Sequence, residues 1–456
     1  MEYSRIMKIL IVSHGFPPSE LGGTELYSYN LAKSLSNKGM EVSVFTKMTR
    51  PLSGRNINTE GYVCEDFEGL RVLRAIDSSN NLREFLNPYV SKTFRNVILK
   101  EMPDLIHFQH LIFLSADLPE IAVSHNIPSI MTFHDYWFLC VRVQLLNKEN
   151  NICEGPIDGA NCAFCFDPPL LYAYRFLNRL KRLVPYRFKT VAKRLKQDVD
   201  NRRTTYTSKA IEFNFRLNFL KKQFNLLKYR LSPSQYLIKR YEKEGFRDMS
   251  YLPIGLPPAP KIDLKPMSML RLGYMGNINY PKGLAVVVKE LLSLLQRGNL
   301  KLVIYGQPYD LYYFKKIKTK FENLSPDIVE FHGGYKNSFE NLWRIFSSFD
   351  VLIFPSVWEE NSPVVIREAL LAGRPVIASH LGGVPEIVRD GINGLLFDPF
   401  KNGDLSEKVE RLLKEPTLLK RLCKGAQETG IDNIEEHTDK VIRVYEDVLV
   451  EGRKSN

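Results

Sequence analysis

Two glutamates, Glu360 and Glu368, stand eight positions apart around the start of a predicted helix. An apolar strand is predicted at 350–354, and the helix after it is predicted to have Ser362 as N-cap and Pro363 at its first position. The free N–H groups of a helix start can bind an anion, and carboxylates can accept hydrogen bonds from sugar hydroxyls. An ordinary strand, loop and helix with solvated glutamates is the simpler alternative, so the interpretation depends on the rest of the chain.

Three further loops carry polar or glycine residues directly after predicted strands. Gly22 and Gly23 precede the first long helix, where glycine lets the backbone approach a phosphate or a sugar closely. His134 follows a strand predicted at 128–133, at the end where α/β folds place working residues. Lys282 precedes a helix start and is a natural partner for phosphate. A tight turn, a structural histidine and a solvated lysine are the alternatives for the three loops.

Short apolar strands alternate with helices along two parts of the chain, one starting at Lys8 and one at Leu270. This order predicts parallel sheets that are covered by helices on both faces. We therefore predict an α/β protein with two doubly wound, Rossmann-like domains that face each other across a cleft. A proline-rich stretch at 252–266 marks the join, because proline disfavours regular structure. The cleft is the predicted site, since such sheets bind ligands at the carboxyl ends of their strands.

Composition and charge limit the class of protein. The sequence has 456 residues and a net charge of +12, without a run of apolar residues long enough to span a membrane. Its first residues lack the pattern of a signal peptide, so we predict a cytoplasmic protein. The charge is uneven, because residues 174–247 hold 21 Lys and Arg against five Asp and Glu, whereas the remainder is slightly acidic.

The basic segment, residues 174–247, mixes aromatic, leucine, lysine and arginine residues at near-helical spacing. Helices of this kind lie at membrane surfaces, and each basic residue near an anionic leaflet contributes about 1 kcal/mol. A peripheral position on the inner face of the membrane is the first interpretation. A solvated helical face is the second, and nucleic-acid binding, which also uses basic and aromatic residues, is the third.

Four of the six cysteines fall in one insertion, residues 140–165, namely Cys140, Cys153, Cys162 and Cys165. The last two have the C-x2-C spacing in which both thiolates can reach one zinc ion. A structural zinc is the first interpretation. Free thiols and a disulfide are the alternatives, and cytosolic chains seldom form disulfides.

Taken together, these motifs resemble those of glycosyltransferase family 4, the retaining nucleotide-sugar enzymes with the GT-B fold. The most specific part of the resemblance is the E-x7-E pattern, which Glu360 and Glu368 satisfy. The glycine loop, the His134 strand end, the SPSQY sequence at 232–236 and the GNINYPKG sequence add to it. The resemblance covers nearly the whole chain.

The resemblance implies a role for each site residue. Glu360 is expected to contact the donor sugar, Glu368 the ribose of the nucleotide, and Lys282 the diphosphate. His134 is expected to contact the sugar from the opposite domain. The other implied donor-binding residues lie in the glycine loop, after the first strand of the second domain, and at the helix start: Gly22, Gly23, Asn277, Asn361, Ser362 and Val364. Asn277 stands where the family often has arginine, so more of the diphosphate charge falls on Lys282.

The resemblance also implies how the chain is divided. Residues 1–256 would form the acceptor-side domain, 257–430 the domain that binds the nucleotide sugar, and 431–456 a helix that returns to the first domain. The implied reaction is retaining transfer of a sugar from a nucleoside diphosphate to a glycan or lipid-linked acceptor, in cell-surface polysaccharide or glycolipid synthesis, without a catalytic metal or other cofactor. Alternatives are another GT-B-type reaction, such as phosphorolysis or nucleotide-sugar epimerisation, and an inactive glycan-binding or scaffold protein.

Overall fold

The computed structural model of the chain contains two open sheets, each covered by helices, and confirms the predicted fold class. It describes residues 6–49, 60–78, 84–157, 159–166, 209–259, 261–262, 269–335 and 339–454.

The first sheet has eight strands in the order β3-β4-β2-β1-β5-β6-β7-β8. The strands are β1 (Lys8–Val12), β2 (Glu41–Met48), β3 (Tyr62–Phe67), β4 (Leu70–Ile76), β5 (Leu105–Phe108), β6 (Ser129–Thr132), β7 (Tyr229–Ser232) and β8 (Ser250–Tyr251). Its helices are α1 (Gly23–Asn37), α2 (Pro88–Glu101), α3 (Leu118–Ser124), α4 (Ala160–Phe166), α5 (209–226) and α6 (Gln235–Lys243). All strand pairs are parallel except β3 with β4, which form an antiparallel hairpin at the sheet edge.

The second sheet has six strands, all parallel, in the order β11-β10-β9-β12-β13-β14. They are β9 (Leu270–Met275), β10 (Leu300–Tyr305), β11 (Val329–His332), β12 (Val351–Phe354), β13 (Val376–Ser379) and β14 (Gly394–Phe397). The helices that follow the first domain are α7 (Leu284–Gln296), α8 (Leu311–Thr319), α9 (Phe339–Ser347), α10 (Val364–Leu371), α11 (Asp404–Lys414), α12 (Pro416–Gln427) and α13 (Ile434–Lys454).

The central strands have both faces in hydrophobic cores, as expected for parallel sheets between two helical layers. On β1, Leu10 packs in one core cluster and Ile9, which points to the opposite face, packs in another. On β12, Ile353 and Leu352 divide in the same way between two clusters of the second domain. Alternate side chains of each strand therefore hold helices on both sides, and the polar loops are left at the strand ends.

The last helix, α13, packs against α1 of the first domain. The ring of His437 lies with its Nε2 2.8 Å from the hydroxyl of Tyr27, and the hydroxyl of Tyr445 lies 2.7 Å from Nδ1 of His107. Tyr445 and Val448 also belong to the core cluster beneath α1. The chain therefore crosses back from the second domain to the first near residue 432.

Within the ranges that the structure describes, no helix has the combination of length and apolar composition needed to cross a bilayer.

Candidate active site

The polar loops after the strands of the two sheets meet between the domains. In the first sheet β1 lies between β2 and β5, and in the second β9 lies between β10 and β12, so the strand order reverses at both places. Open α/β sheets bind ligands at such reversal points, outside the carboxyl ends of the strands. The glycine loop at Gly22 follows β1, Lys282 follows β9 and Glu360 follows β12.

Lys282 and Glu360 form an ion pair at the reversal point of the second sheet. Lys282 Nζ lies 2.7 Å from Oε1 of Glu360. The same oxygen accepts hydrogen bonds from the hydroxyl of Ser356 at 2.7 Å and from the indole N–H of Trp358 at 2.8 Å. The ammonium also lies 5.6 Å from the ring centre of Trp358 and 5.8 Å from that of Phe354, which favours a cation at this place. Three side chains, those of Ser356, Trp358 and Phe354, thus surround this pair of one cation and one carboxylate.

His134 belongs to the first domain, and its imidazole is neutral. Burial lowers the pKa of its imidazole to about 3, because desolvation disfavours the charged ring. Its Nε2 lies 3.0 Å from Oε1 of Gln109, an acceptor, so this nitrogen carries the proton and Nδ1 keeps its lone pair. The side-chain amide of Asn361 donates to the backbone carbonyl of His134 at 2.9 Å, which joins the histidine to the loop of Glu360. The ring can therefore accept a hydrogen bond from a sugar hydroxyl.

We expect His134 to make the fold less stable in acid. Its pKa is about 3 in the folded chain and 6.5 for an exposed ring, so the unfolded state binds more protons between these values and stability falls as the pH drops below 6.5. The loss amounts to about 2 kcal/mol at pH 5. Urea unfolding at pH 7 and pH 5 should therefore show a smaller difference for His134→Gln than for the wild type. An equal difference in the two proteins would contradict the neutral ring.

Glu368, Gly23 and Val364 meet at a cavity of about 140 Å³ between the domains. A Cβ atom at Gly23 would lie 3.5 Å from a methyl group of Val364, so α1 and α10 approach each other here through a residue without a side chain. At Gly22 a Cβ would lie 2.4 Å from a carboxylate oxygen of Glu25, so a larger residue there would require this side chain to move. The structure thus brings three predicted donor-binding residues together across the two domains.

The predicted helix cap at Ser362 is wrong. Pro363 is the N-cap of α10, with extended backbone angles of φ −65° and ψ 116°, and the helix begins at Val364. The ψ of Pro363 lies outside the helical region, so the helix starts one residue later than predicted. The hydroxyl of Ser362 instead accepts a hydrogen bond from Nε of Arg367 at 3.1 Å. It still lies at the helix start, where a donor phosphate could approach.

Asn277 lies at the end of β9, on the same sheet edge as Lys282, and its side chain is exposed. Its backbone carbonyl accepts a hydrogen bond from the hydroxyl of Tyr274 at 3.0 Å, which holds the loop in place. The side chain can therefore donate to a ligand, although it brings no charge.

Glu359 joins the two domains, although its spacing excludes it from the E-x7-E pattern. Its carboxylate accepts from the hydroxyl of Tyr236 at 2.5 Å and lies 3.5 Å from the guanidinium of Arg240. Its backbone carbonyl accepts from the hydroxyl of Tyr136 at 3.0 Å. Sequence reasoning missed these partners. The one available signal was the SPSQY sequence, whose tyrosine makes the contact.

Glu386 caps a helix of the opposite domain. Its carboxylate accepts hydrogen bonds from the backbone N–H groups of Gln235 at 3.0 Å and Tyr236 at 2.5 Å, and from the hydroxyl of Ser234 at 3.1 Å. These groups form the start of α6, where an anion is stabilised by the free N–H groups and the helix dipole. Glu386 therefore joins the two domains, in the arrangement that we call closed.

Removing this cap should weaken domain closure. In Glu386→Ala the closed arrangement loses three hydrogen bonds to a carboxylate, which we expect to cost about 1–2 kcal/mol relative to the open one. The apparent KM for donor should then rise by about tenfold. Steady-state kinetics measure the change, with Glu446→Ala, an exposed glutamate on α13, as the matched control. An unchanged KM in Glu386→Ala would show that the cap does not control closure.

The four clustered cysteines lie between β6 and the end of α4, and none is in a disulfide. Burial raises the pKa of Cys162 to about 12 and that of Cys140 above its usual range, so these thiols are protonated at neutral pH. Within the residue ranges that the structure describes, no three His, Cys, Asp or Glu side chains lie close enough together to hold a metal ion. As placed, the thiols do not form a zinc cage. A structural zinc stays a prediction, and metal analysis of the purified chain tests it.

Family models match both halves of the chain. Residues 21–197 match the model described as Glycosyltransferase Family 4, and residues 270–415 match the model described as Glycosyl transferases group 1. The first match covers the glycine loop and the His134 strand end. The second covers Lys282 and both glutamates.

Individual relatives and structures align over different lengths. The chain is 24% identical to an uncharacterized glycosyltransferase of Methanocaldococcus jannaschii, in an alignment that covers 97% of this chain and 100% of that protein. It is 32% identical to the lipopolysaccharide 1,2-N-acetylglucosaminetransferase of Salmonella typhimurium, over 31% of this chain and 39% of that protein. The crystal structure of HepE from Anabaena in complex with UDP-glucose superposes with a TM-score of 0.61 at 15% identity, over 97% of this chain and 100% of that chain.

Proposed function

The chain belongs to the GT-B-fold glycosyltransferases of family 4, and on that premise we propose that it is a retaining hexosyltransferase. The donor is a nucleoside-diphosphate sugar, and the acceptor is a glycan or a lipid-linked sugar. The reaction belongs to the synthesis of a cell-surface polysaccharide or glycolipid.

The contact that carries this proposal is the ion pair between Lys282 and Glu360 at the reversal point of the second sheet. Breaking a sugar–phosphate bond leaves negative charge on the diphosphate and positive character on the sugar. Lys282 and the start of α10 can stabilise the diphosphate, whereas Glu360 and His134 can accept hydrogen bonds from sugar hydroxyls. Glu368 lines the cavity between the domains, which supports a role in binding the ribose.

Retention follows when the acceptor attacks from the face that the diphosphate leaves. The acceptor hydroxyl transfers its proton to a phosphate oxygen of the leaving group, so a separate carboxylate nucleophile is not needed. His134 is neutral at the pH of the cytoplasm and serves as a hydrogen-bond partner, with no change of its charge during turnover.

Two of the named relatives support the donor and the acceptor class. HepE was crystallised with UDP-glucose, which supports a nucleotide-sugar donor for this chain. The Salmonella enzyme is named as a lipopolysaccharide N-acetylglucosaminetransferase, which supports a glycan or glycolipid acceptor for this chain.

A thermal-shift screen against UDP-, GDP- and ADP-sugars tests the donor. A donor at a hundred times its Kd should stabilise the folded chain by about 2.7 kcal/mol, and one nucleobase should give a larger shift than the others. The absence of a shift with all three nucleotides would refute donor binding. Nucleotide release on adding an acceptor then tests transfer, and NMR of the product tests retention, because an inverted anomeric carbon would contradict it.

The position at the inner face of the membrane is also part of the proposal. Residues 174–208 of the basic segment lie outside the described residues, but 209–247 include α5 and α6. On α5, Ile211 and Phe215 are one turn apart and expose 65% and 58% of their surface, which suits an interfacial helix. Sedimentation with anionic liposomes tests the association, and binding that does not weaken with salt, or no binding, would count against it.

A further inference from the structure

A polar cavity of about 370 Å³ lies where the two domains and the crossing segment meet. Its walls come from three parts of the chain: Tyr251 at the end of the first domain, Arg367 and Arg389 of the second domain, and residues 429–432 with Lys440. We call this cavity the hinge recess. No residue assigned above to the donor, the acceptor or the reacting sugar lines it.

Arg367 is a buried cation without a paired carboxylate. Its side chain is on α10, and the residue is only 6% exposed. The guanidinium donates to the hydroxyl of Ser362 and contacts the hydroxyl of Tyr251. Burial lowers the pKa of this guanidinium, which reflects the cost of desolvating the charge. A buried charge of this kind is stabilised when an ion of opposite sign binds beside it.

The two acids that also line the hinge recess are already engaged. Glu386 accepts the hydrogen bonds at the start of α6, and Asp432 lies 2.5 Å from Nζ of Lys440. Arg389 is exposed at the rim. Over the part of the chain that the structure covers, neither Arg367 nor Arg389 forms an ion pair with a carboxylate, although Glu386 and Asp432 are close enough to favour the charge of Arg367. Two guanidinium groups are therefore left for a ligand.

We propose that the hinge recess binds a phosphate group, with Arg367 at its base and Arg389 at its rim. The planar guanidinium fork matches two oxygens of a phosphate, and this pairing is stronger and more specific than that of a lysine. The hydroxyl of Tyr251 can donate a further hydrogen bond. The cavity has room for inorganic phosphate and also for a phosphate monoester. This site is separate from the proposed glycosyl transfer and goes beyond it.

Phosphate in the hinge recess stabilises one relative arrangement of the two domains. Tyr251 belongs to the first domain and Arg367 to the second, so a ligand that contacts both favours the arrangement in which they are adjacent. Arg367 also holds Ser362 at the start of α10, two residues before the helix that carries Glu368. Binding therefore stabilises the closed arrangement that Glu386 also holds.

Isothermal titration of inorganic phosphate into the purified full-length chain tests the site, at an ionic strength held constant with sodium chloride. Because Lys282 at the donor site also attracts phosphate, the titrations use the Lys282→Ala background. We expect binding that becomes about tenfold weaker when Arg389→Gln is added. The matched control is Arg421→Gln, which removes an exposed arginine of α12 outside the recess and should leave the affinity unchanged.

Equal phosphate affinity in the Arg389→Gln and Arg421→Gln proteins would overturn the proposal, and so would failure of both inorganic phosphate and hexose 6-phosphate to bind. Tighter binding of hexose 6-phosphate assigns the site to a phosphate monoester, and tighter binding of inorganic phosphate assigns it to the free ion. In the otherwise wild-type chain Arg389→Gln should keep its donor turnover in phosphate-free buffer. Failure of the phosphate site therefore leaves the proposed transfer reaction untouched.

Discussion

Replacing Lys282 by alanine is expected to lower turnover of the sugar donor by about 10²- to 10³-fold while the chain stays folded. The ammonium is the cation closest to Glu360, 2.7 Å from its carboxylate, and Asn277 brings no charge to the same edge of the sheet. Without Lys282 the charge that develops on the diphosphate is stabilised mainly by backbone N–H groups. The fold should persist, because Ser356 and Trp358 still donate to Glu360.

Single-turnover kinetics with saturating donor measure the effect of Lys282→Ala on the chemical step. Lys289→Ala, an exposed lysine on α7, removes the same charge from the same domain and should leave turnover near that of the wild type. Lys282→Arg keeps the charge and should recover part of the rate, although the wider head group fits the contacts of an ammonium poorly. Turnover of the alanine variant at the wild-type rate would remove Lys282 from the mechanism.

The parallel core of both sheets could be predicted, because strands that are buried on both faces consist almost entirely of apolar residues. The hairpin of β3 and β4 was missed. β3 carries two charged residues, Glu65 and the exposed Asp66, and so lacks the apolar run. The sequence did contain a signal at the turn, Gly69, because a two-residue turn ending in glycine is typical of hairpins. In the structure Glu68 and Gly69 both have positive φ, of 52° and 81°.

The sheet edge that carries the site could be predicted, but the partners of each side chain could not. Lys282 and Glu360 are 78 positions apart, and they pair because β9 and β12 are neighbours in the sheet. Chain order alone does not decide which strands are neighbours, since β12 could follow β11 at the edge equally well. The contacts of Glu386 with α6 depend in addition on how the two domains meet, which no local pattern specifies.

Three consecutive residues connect the closure of the domains with the chemistry. Glu359 binds Tyr236 and lies near Arg240 of the first domain, Glu360 binds Lys282, and Asn361 donates to the backbone of His134. All three are at least 92% buried. A movement that separates the domains would break the first and third contacts and would leave the ion pair of the second intact. The cation is therefore held in place independently of domain closure, and closure adds the contact between Asn361 and the backbone of His134.

Gly283→Ala is expected to lower the free energy of unfolding by about 2–4 kcal/mol and to impair donor turnover. Gly283 has a φ of +71°, and a Cβ there would lie 1.7 Å from the backbone carbonyl oxygen of Pro355. The close approach docks the Lys282 loop on the end of β12, where the N–H of Val357 donates to the carbonyl of Pro281 at 2.9 Å. Any shift that relieves the clash moves Lys282 away from Glu360, and a misplacement of about 1 Å can cost 10²-fold in rate.

Gly298→Ala is the control for Gly283→Ala. It measures the cost of a positive φ at alanine without a steric clash. Gly298 also has a positive φ, of +77°, but a Cβ there meets nothing within 4 Å. We expect it to cost only about 1 kcal/mol, the penalty for an L-residue in the left-handed region, and to leave turnover unchanged. Urea unfolding and donor turnover of both variants give the comparison. Similar losses in the two proteins would show that the contact between Gly283 and Pro355 does not position Lys282, whereas a loss of rate confined to Gly283→Ala would assign that role to the docked loop.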